Sequence, residues 1–568
     1  MKHPLIPRLD TLRGANSRSL LADGIAGTTL AILLIPQVMA YAQLAGLPPE
    51  TGLYAALVPP LLYLLFGTSP YVSIGPVALV SLVIASVAGG VDAPPSEVAV
   101  IVGIQAGLVL AMIGALKLGR LVNFISEPVL LGFTAAVAFL IFASQFPTLL
   151  GVDADRAGNL PVAVMSFADA APRWHKSTAL VGAAALLLLI ASSRFAVPIA
   201  ERLGLASPWK QAAAKSVPLV IIIGCAIAAH IAFPDVARVQ APPEGLPPVT
   251  VPTFEPSVWI AVLPSSLVVA VIIFATATAV AKSLAGKDRS GFDTNREAAA
   301  LGLGNIAASL TGGYAVSASL SRSALVEESG GRTPMSHVVG AGWVLVALLF
   351  FAPMLAFLPK TVLAALVISA VFSLVKVVEM RRVWRHDRSE AALIALTFVA
   401  TLGLGVKLGL AIGAGAALAH HMWVASLPRV TLVGTDDSGK TFRSIEREEI
   451  DLHTLPVLII RIDRSIWFAN SAYVEDQITA LVGQYDDVCD IVFDMRAANI
   501  VDASGAAMLR RLVDQLTSQD VEVHFAAVHE PVQKVLGDVE GDFYRRVKEA
   551  LEDCKPPVAD IIPQAERD

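Results

Sequence analysis

Ser73-Ile74-Gly75-Pro76-Val77-Ala78-Leu79-Val80 and Ser319-Leu320-Ser321-Arg322-Ser323-Ala324-Leu325-Val326 decide how this chain is read. Aligned, the two octapeptides share Ser, Ala, Leu and Val at the same places. Each opens a short apolar segment, and each follows a turn-prone stretch, Phe66-Gly67-Thr68-Ser69-Pro70 and Thr311-Gly312-Gly313-Tyr314. Short, Gly- or Pro-interrupted apolar segments in matching places of two halves mark the binding site of a membrane transporter better than any other sequence feature. A helix that starts at mid-membrane offers unpaired N–H groups and a positive dipole end. Two such starts facing each other form a pocket for an anion. Ser73, Ser319 and Ser321 add hydroxyls, and Arg322 adds a full charge that is costly at membrane depth unless it faces a partner or a cavity. Gly75, Val77, Ala78 and Leu320 complete the two starts. The competing reading makes Ser319 and Ser321 ordinary caps and Arg322 an interfacial residue.

Outward from these segments, apolar runs follow one another from about residue 23 to 427, at 25–45, 51–66, 73–88, 98–116, 128–149, 178–193, 217–233, 257–281, 297–311, 318–328, 335–358, 361–378, 390–405 and 408–426. A span needs about 20 apolar residues, fewer when broken or tilted. The pattern predicts fourteen membrane segments, with 1–22 as an N-terminal segment. The whole chain of 568 residues is 55% hydrophobic and 16% charged, with mean hydropathy +0.66, far from a soluble composition. Its net charge of −6 gives no footing for a nucleic-acid partner.

Basic residues fall in alternate connections: Lys117 and Arg120; Arg194, Arg202, Lys210 and Lys215; Lys282, Lys287 and Arg289; Arg381, Arg382, Arg385 and Arg388. Glu50, Asp92, Glu97, Asp153, Asp155, Asp235 and Glu244 occupy the connections between. The positive-inside rule then puts both termini in the cytoplasm of a cell with an inner membrane. Lys2, Arg8, Arg13 and Arg18 precede the first apolar segment, which lacks a cleavage pattern and reads as a retained span.

On that first span, Pro36 frees a backbone carbonyl, and Gln37 and Tyr41, four residues apart, share a face. The pair suits a polar cavity, or interhelical hydrogen bonding. Thr294-Asn295-Arg296-Glu297 reads as a capping box and Ser126-Glu127-Pro128 as a helix start. Cys225, Cys489 and Cys554 have no metal-ligand spacing. No nucleophile–base set, metal-ligand motif or Walker loop is legible, which disfavours an enzyme and an ATP-driven pump. A membrane-anchored sensor or scaffold would not need an arginine-bearing half-helix pair.

From 428 to 555 the chain turns charged. Residues 457–462, 490–495 and 521–526 read as strands, 471–483 and 504–518 as amphipathic helices, an α/β arrangement ahead of a short tail at 556–568. Asp502 and Ser504 stand where helix caps are favoured.

The order of these motifs resembles the sulfate permease (SulP, solute carrier family 26-like) anion transporters. The resemblance rests on residues 35–42, 44–49 and 52–54, on Ser73-Ile74-Gly75-Pro76, on Ile125 to Phe133, on Asp293 to Glu297, on Ser319 to Ser323 and on Gly330-Gly331-Arg332-Thr333. It implies a 7+7 inverted repeat divided into core and gate domains, with the substrate between segments three and ten. It also implies a homodimer, an elevator-like movement, and Gln37, Tyr41, Val77, Ser321 and Arg322 lining the pocket. Many relatives carry Phe where this chain has Val77, which widens the site. Where many have a proton-linked glutamate, this chain has Thr276, and a threonine carries no proton at physiological pH. Sodium coupling, uncoupled exchange and channel-like conduction all stay open. The tail resembles a STAS domain, a place for cytoplasmic regulators, and by that resemblance Ser504 is a phosphorylation candidate. The implied function is secondary transport of sulfate, bicarbonate, chloride or a small dicarboxylate, without a cofactor beyond a co-transported Na+ or H+.

Overall fold

The computed structural model describes residues 16–554 except 125, 155–157, 203, 205–208, 241–242, 244, 285–291, 436–441, 445–456, 486–487, 538 and 540. Residues 1–15, Ile125, Asp155, Glu244, Lys287, Arg289 and the tail at 556–568 therefore lie outside the described residues. Two compact units meet between Ala417 and Leu418, upstream of the break at 428 and inside the last apolar helix.

The first unit is helical. Helix α1 (Ser17–Leu44) starts at Asn16, whose side chain accepts from Ser19 N while Ser19 Oγ accepts from Asn16 N. The expected span at 51–66 is two helices, α2 (Pro49–Ala55) and α3 (Val58–Phe66). Pro59 and Pro60 have no N–H to continue the ladder from α2, which forces the break. Next come α4 (Ala78–Ala88), α5 (Pro95–Ala115) and α6 (Glu127–Leu150, opened at Ser126). A further helix, α7 (Leu160–Ala170), stands where no span was expected, capped by Asn159 accepting from Val162 N. After it run α8 (Lys176–Arg202), α9 (Trp209–Ala232), α10 (Pro256–Leu284) and α11 (Thr294–Leu310). The second half-helix is α12 (Leu320–Glu328). The expected span at 335–358 is α13 (Met335–Phe350) followed by a single turn, α14 (Ala352–Leu355), with Pro353 in its first turn. The unit ends with α15 (Lys360–Val371), α16 (Val377–His386), α17 (Arg388–Leu404) and α18 (Val406–Ser426).

Two corrections concern these ends. The cap of α11 is Asp293, whose carboxylate accepts from Asn295 N and Arg296 N, not Thr294. Glu297 does not reach back to close a capping box. It accepts from Tyr63 Oη at 2.7 Å and Thr68 Oγ1 at 2.8 Å, and so ties α11 to the end of α3.

Among the described residues, eight helical stretches are long and apolar enough to cross a membrane, and Ala78–Ala88 and Met335–Phe350 are shorter apolar helices. Leu187, Ile231 and Ile260 stand well exposed on α8, α9 and α10, as a lipid-facing surface requires. The helices pack in two groups. Helix α1 packs on α12 and α13, while α10 packs on α4 and α5 and α11 on α3 and α5. In the other group α6 packs on α8, α15 and α17.

The second unit is a six-stranded sheet in the order β4-β3-β5-β6-β7-β8. Its strands are β3 (Val430–Thr435), β4 (Phe442–Ser444), β5 (Val457–Ile462), β6 (Asp490–Asp494), β7 (Glu522–Ala526) and β8 (Asp542–Tyr544), following β1 (Ile74–Gly75) and β2 (Ser317–Ala318) of the first unit. The expected trio forms the parallel centre, β5-β6-β7, and three strands that were not expected flank it, β3 and β4 on one side and β8 on the other. The centre is buried on both faces, which explains its unbroken apolar runs. Ile460, Ile491, Phe493 and Phe525 pack with residues of α19 (Ser471–Val482) and α20 (Ala503–Thr517). Val457, Ile459 and Val492 pack under α22 (Val547–Asp553), which follows the short α21 (Glu530–Val535).

Asp502 caps α20 by accepting from Gly505 N at 2.8 Å, so Ser504 is left exposed in the first turn and is not the cap. The fold also brings together what spacing in the chain does not reveal. Asp490, His524 and Cys554 place their ligand-type atoms within 4.8 Å of one another, with His524 Nε2 2.9 Å from Asp490 Oδ1.

Candidate anion site

The two half-helices are joined by a ribbon. Strand β1 (Ile74–Gly75) pairs antiparallel with β2 (Ser317–Ala318), Ile74 opposite Ala318 and Gly75 opposite Ser317. Three further bonds lock it: Ser319 N donates to Ser73 O, Ser73 N to Ser323 Oγ at 2.9 Å, and Ser323 Oγ to Ser319 O at 2.7 Å. Asn305 on α11 acts as an extra strand residue, accepting from Val316 N at 2.8 Å and donating to Val316 O at 3.0 Å. Non-helical backbone at membrane depth is tolerated only where protein or a cavity surrounds it, and the residues of this ribbon are buried.

Helix α4 opens at Val77, whose side chain makes no cap bond, so the N–H groups of the first turn, beginning at Ala78, have no intrahelical partner. Helix α12 opens at Ser319, which accepts from Arg322 N at a long 3.5 Å. Arg322, third in α12, is 0% exposed. Its Nη1 donates to Pro76 O at 2.9 Å and to Gln37 Oε1 at 3.3 Å, and Gln37 Nε2 in turn donates to Tyr41 Oη at 2.9 Å. Its Nε and Nη2 have no hydrogen-bond partner, and no ion pair to it is found among the described residues. A Cβ on Gly75 would sit 3.3 Å from Nη2, so only glycine leaves the guanidinium uncrowded there.

These charges add with one sign. A guanidinium in the first turn of one helix, beside the start of another, is opposed by both dipoles. A buried charge without a partner is expensive, and each buried donor left unmade costs about 1–3 kcal/mol. An anion settling against Nε and Nη2 would relieve all of these at once.

Gln37, Tyr41, Gly75, Val77, Ala78, Ser319 and Arg322 thus converge. Ser73 is present, but its backbone N–H and C=O are spent on the ribbon. Leu320 is 46% exposed, and Ser321 is exposed with its Oγ 3.3 Å from Ser319 Oγ. Thr276 donates to Ile272 O at 2.7 Å and lies 3.0 Å from Ser317 Oγ, on the ribbon's flank. Pro76 O, Asn305, Ser323 and Asp23 were missed. A lone amide within the apolar run of α11 was the available signal for Asn305. Asp23 is buried in α1 and accepts from Arg332 N, Thr333 N and Thr333 Oγ1, which anchors the loop after α12. A more open cavity of about 390 Å³ is lined by Glu50, Tyr54, Glu97 and Pro248 among others. It has two carboxylates and no cation in its lining, the wrong sign for an anion.

The Sulfate permease family model matches residues 20–397 and the STAS domain model residues 445–554. Sulfate transporter 4.1, chloroplastic, of Arabidopsis thaliana is 31% identical over 557 residues, covering 94% of this chain and 80% of its own. A probable sulfate transporter of Mycobacterium tuberculosis is 30% identical, covering 89% and 90%. The fold is that of the murine solute carrier 26 member A9 anion transporter, with TM-score 0.84 at 18% identity over 93% of this chain and 90% of that one. The transmembrane domain of a cyanobacterial bicarbonate transporter aligns with TM-score 0.59 at 20% identity, covering 71% and 98%. With its helical unit matched almost throughout and a STAS domain behind it, the chain belongs to the sulfate permease family.

Proposed function

We propose that the chain is a secondary transporter of small anions, sulfate first, which holds its substrate between the starts of α4 and α12. One observation carries the reading: Arg322 is buried beside two helix starts, and among the described residues Nε and Nη2 have no partner and no carboxylate is paired to it. The relatives named as sulfate transporters favour sulfate, and the bicarbonate transporter that shares the fold makes bicarbonate the second candidate. Gln37 and Tyr41 orient the guanidinium, Val77 leaves room at the mouth of α4, and Ser319 and Ser321 serve the exposed approach.

Reciprocal packing, α1 on α12 and α13 against α10 on α4 and α5, supports an inverted repeat. The group formed by α6, α8, α15 and α17, which meets the other group where α15 packs on α1, supports a gate past which the core moves as an elevator. The charge alternation supports an inner-membrane protein with cytoplasmic termini; the family resemblance supports a homodimer, with the STAS domain receiving regulators. Thr276 supports a mechanism without proton relay at that position, so coupling to Na+ or uncoupled exchange is the second reading.

The test is purified protein in liposomes with radiolabelled sulfate, bicarbonate and a dicarboxylate, with and without pH or sodium gradients. Saturable sulfate uptake is expected. Uptake of none of the three above protein-free liposomes would remove the proposal.

A further inference from the structure

Helix α16 is built unlike its neighbours. None of its residues is buried, although Val377, Val378 and Trp384 are 63%, 80% and 66% exposed. Val377, Met380 and Trp384 recur at three and four residues and share a face with Val383, while Arg381 and Arg385 flank that face. The helix ends at Asp387, in extended conformation (φ −145°, ψ 113°), which also caps α17 by accepting from Ser389 N and Glu390 N. The chain therefore turns sharply where α17 begins. A short helix with one apolar face, a basic flank and a corner at its end has the design of a helix lying in the membrane surface.

Beside it lies a groove of about 480 Å³, lined by Phe139 of α6, Phe398 of α17, and Val377, Met380 and Trp384, with Arg381 the one charged residue in its wall. Phe139 and Phe398 meet edge to face, ring centres 5.6 Å apart. No ion pair to Arg381, Arg382 or Arg385 is found among the described residues. Apolar walls that stay open, with unpaired guanidinium groups at the rim, fit an amphiphile with a greasy chain and an acidic head. A zwitterionic lipid would fill the groove and leave the arginines unanswered; an anionic one does both.

We propose that the α16 groove is a binding site for an anionic phospholipid, one acyl chain lying against Phe139, Phe398 and Trp384 and the phosphate-bearing head held by Arg381 and Arg385. The basic run assigns this site to the cytoplasmic leaflet, where anionic lipids attract such segments, each Arg adding about fivefold to binding. The guanidinium stems lie along the apolar face while their heads reach the phosphate.

The experiment is native mass spectrometry of the full-length, detergent-purified protein offered phosphatidylglycerol and phosphatidylcholine in equal amounts. Wild-type protein is expected to retain phosphatidylglycerol about 25-fold over phosphatidylcholine, and the double variant Arg381→Gln/Arg385→Gln to fall close to parity. The matching Arg381→Lys/Arg385→Lys protein keeps most of the preference. Soluble glycerol phosphate in millimolar excess displaces nothing, because it lacks the acyl chain. Equal retention of both lipids by wild type, an unchanged preference in the glutamine variant, or displacement by glycerol phosphate would each overturn the proposal. Should the double variant fail gel filtration, Arg381→Gln alone is read, with about a fivefold loss expected and no loss overturning it.

Discussion

Replacing Arg322 by Leu separates a substrate ligand from a structural staple. Its Nη1 is already spent on Pro76 O and Gln37 Oε1, which leaves Nε and Nη2 for the anion. A hydrogen bond to a charged group is worth about 1.5–3 kcal/mol, so two lost bonds weaken binding by about 3–6 kcal/mol, or roughly a hundredfold to ten-thousandfold. Stability moves differently. Exchanging a buried, uncompensated charge for an apolar side chain of fair volume is often neutral or favourable. The assay is the concentration dependence of radiolabelled sulfate uptake into proteoliposomes, alongside the thermal midpoint of the same preparation. A KM beyond the measurable range with a midpoint within about 5 °C of wild type is expected. Arg322→Lys restores charge without the planar fork and recovers only part of the affinity. Uptake within threefold of wild type in a folded Leu variant would refute the site, and a collapsed midpoint would make Arg322 a staple.

Gly75→Val places methyl groups where a Cβ alone is already 3.3 Å from Arg322 Nη2; sulfate KM is expected to rise at least tenfold with little change in folded yield by size exclusion. Asn305→Leu leaves the amide and carbonyl of Val316 unpaired inside the protein and should destabilise the membrane unit by about 2–4 kcal/mol, read as a lowered thermal midpoint. Burial, then the neighbouring Asp490, pushes the Cys554 thiol up to about 12. A raised value keeps the thiol protonated, so at pH 8 Cys554 should resist maleimide while the exposed Cys489 reacts, as peptide mapping would detect. Thr276→Glu puts a titratable group beside Ser317 and should make uptake depend on pH between about 5 and 8, whereas wild-type uptake through this position does not.

The half-helix pair was legible because its signal is local: eight residues, a preceding turn and an arginine that lipid would not tolerate. The centre of the STAS sheet was legible for a similar reason, since buried parallel strands announce themselves as apolar runs. The ribbon between the half-helices was not. Two-residue strands carry no periodicity, and the bond that locks them together runs from Ser73 to Ser323, beyond any window. Strands β4 and β8 escaped for want of length, and β3, as long as β5, because Thr431, Gly434 and Thr435 interrupt its apolar run. The cap of α11 was misassigned by one residue because Asp293 and Thr294 are both capable caps. Only backbone geometry, extended at Asp293 (φ −119°), selects between them. Helix α16 was lost inside a hydropathy window that blurred the end of α15 into a charged surface helix.

The Ser73–Ser323 bond spans 250 positions of sequence, and this has a bearing on biosynthesis. When the first half leaves the ribosome, the amides and carbonyls of residues 73–75 have nothing to pair with, and lipid offers them no substitute. That stretch must be sheltered in a chaperone, in the translocon or against its own helices until Ser317 to Ser323 arrive. A nascent chain truncated between the halves should therefore be a substrate for membrane proteases, and the surroundings of Arg322 are among the last parts of the molecule to mature.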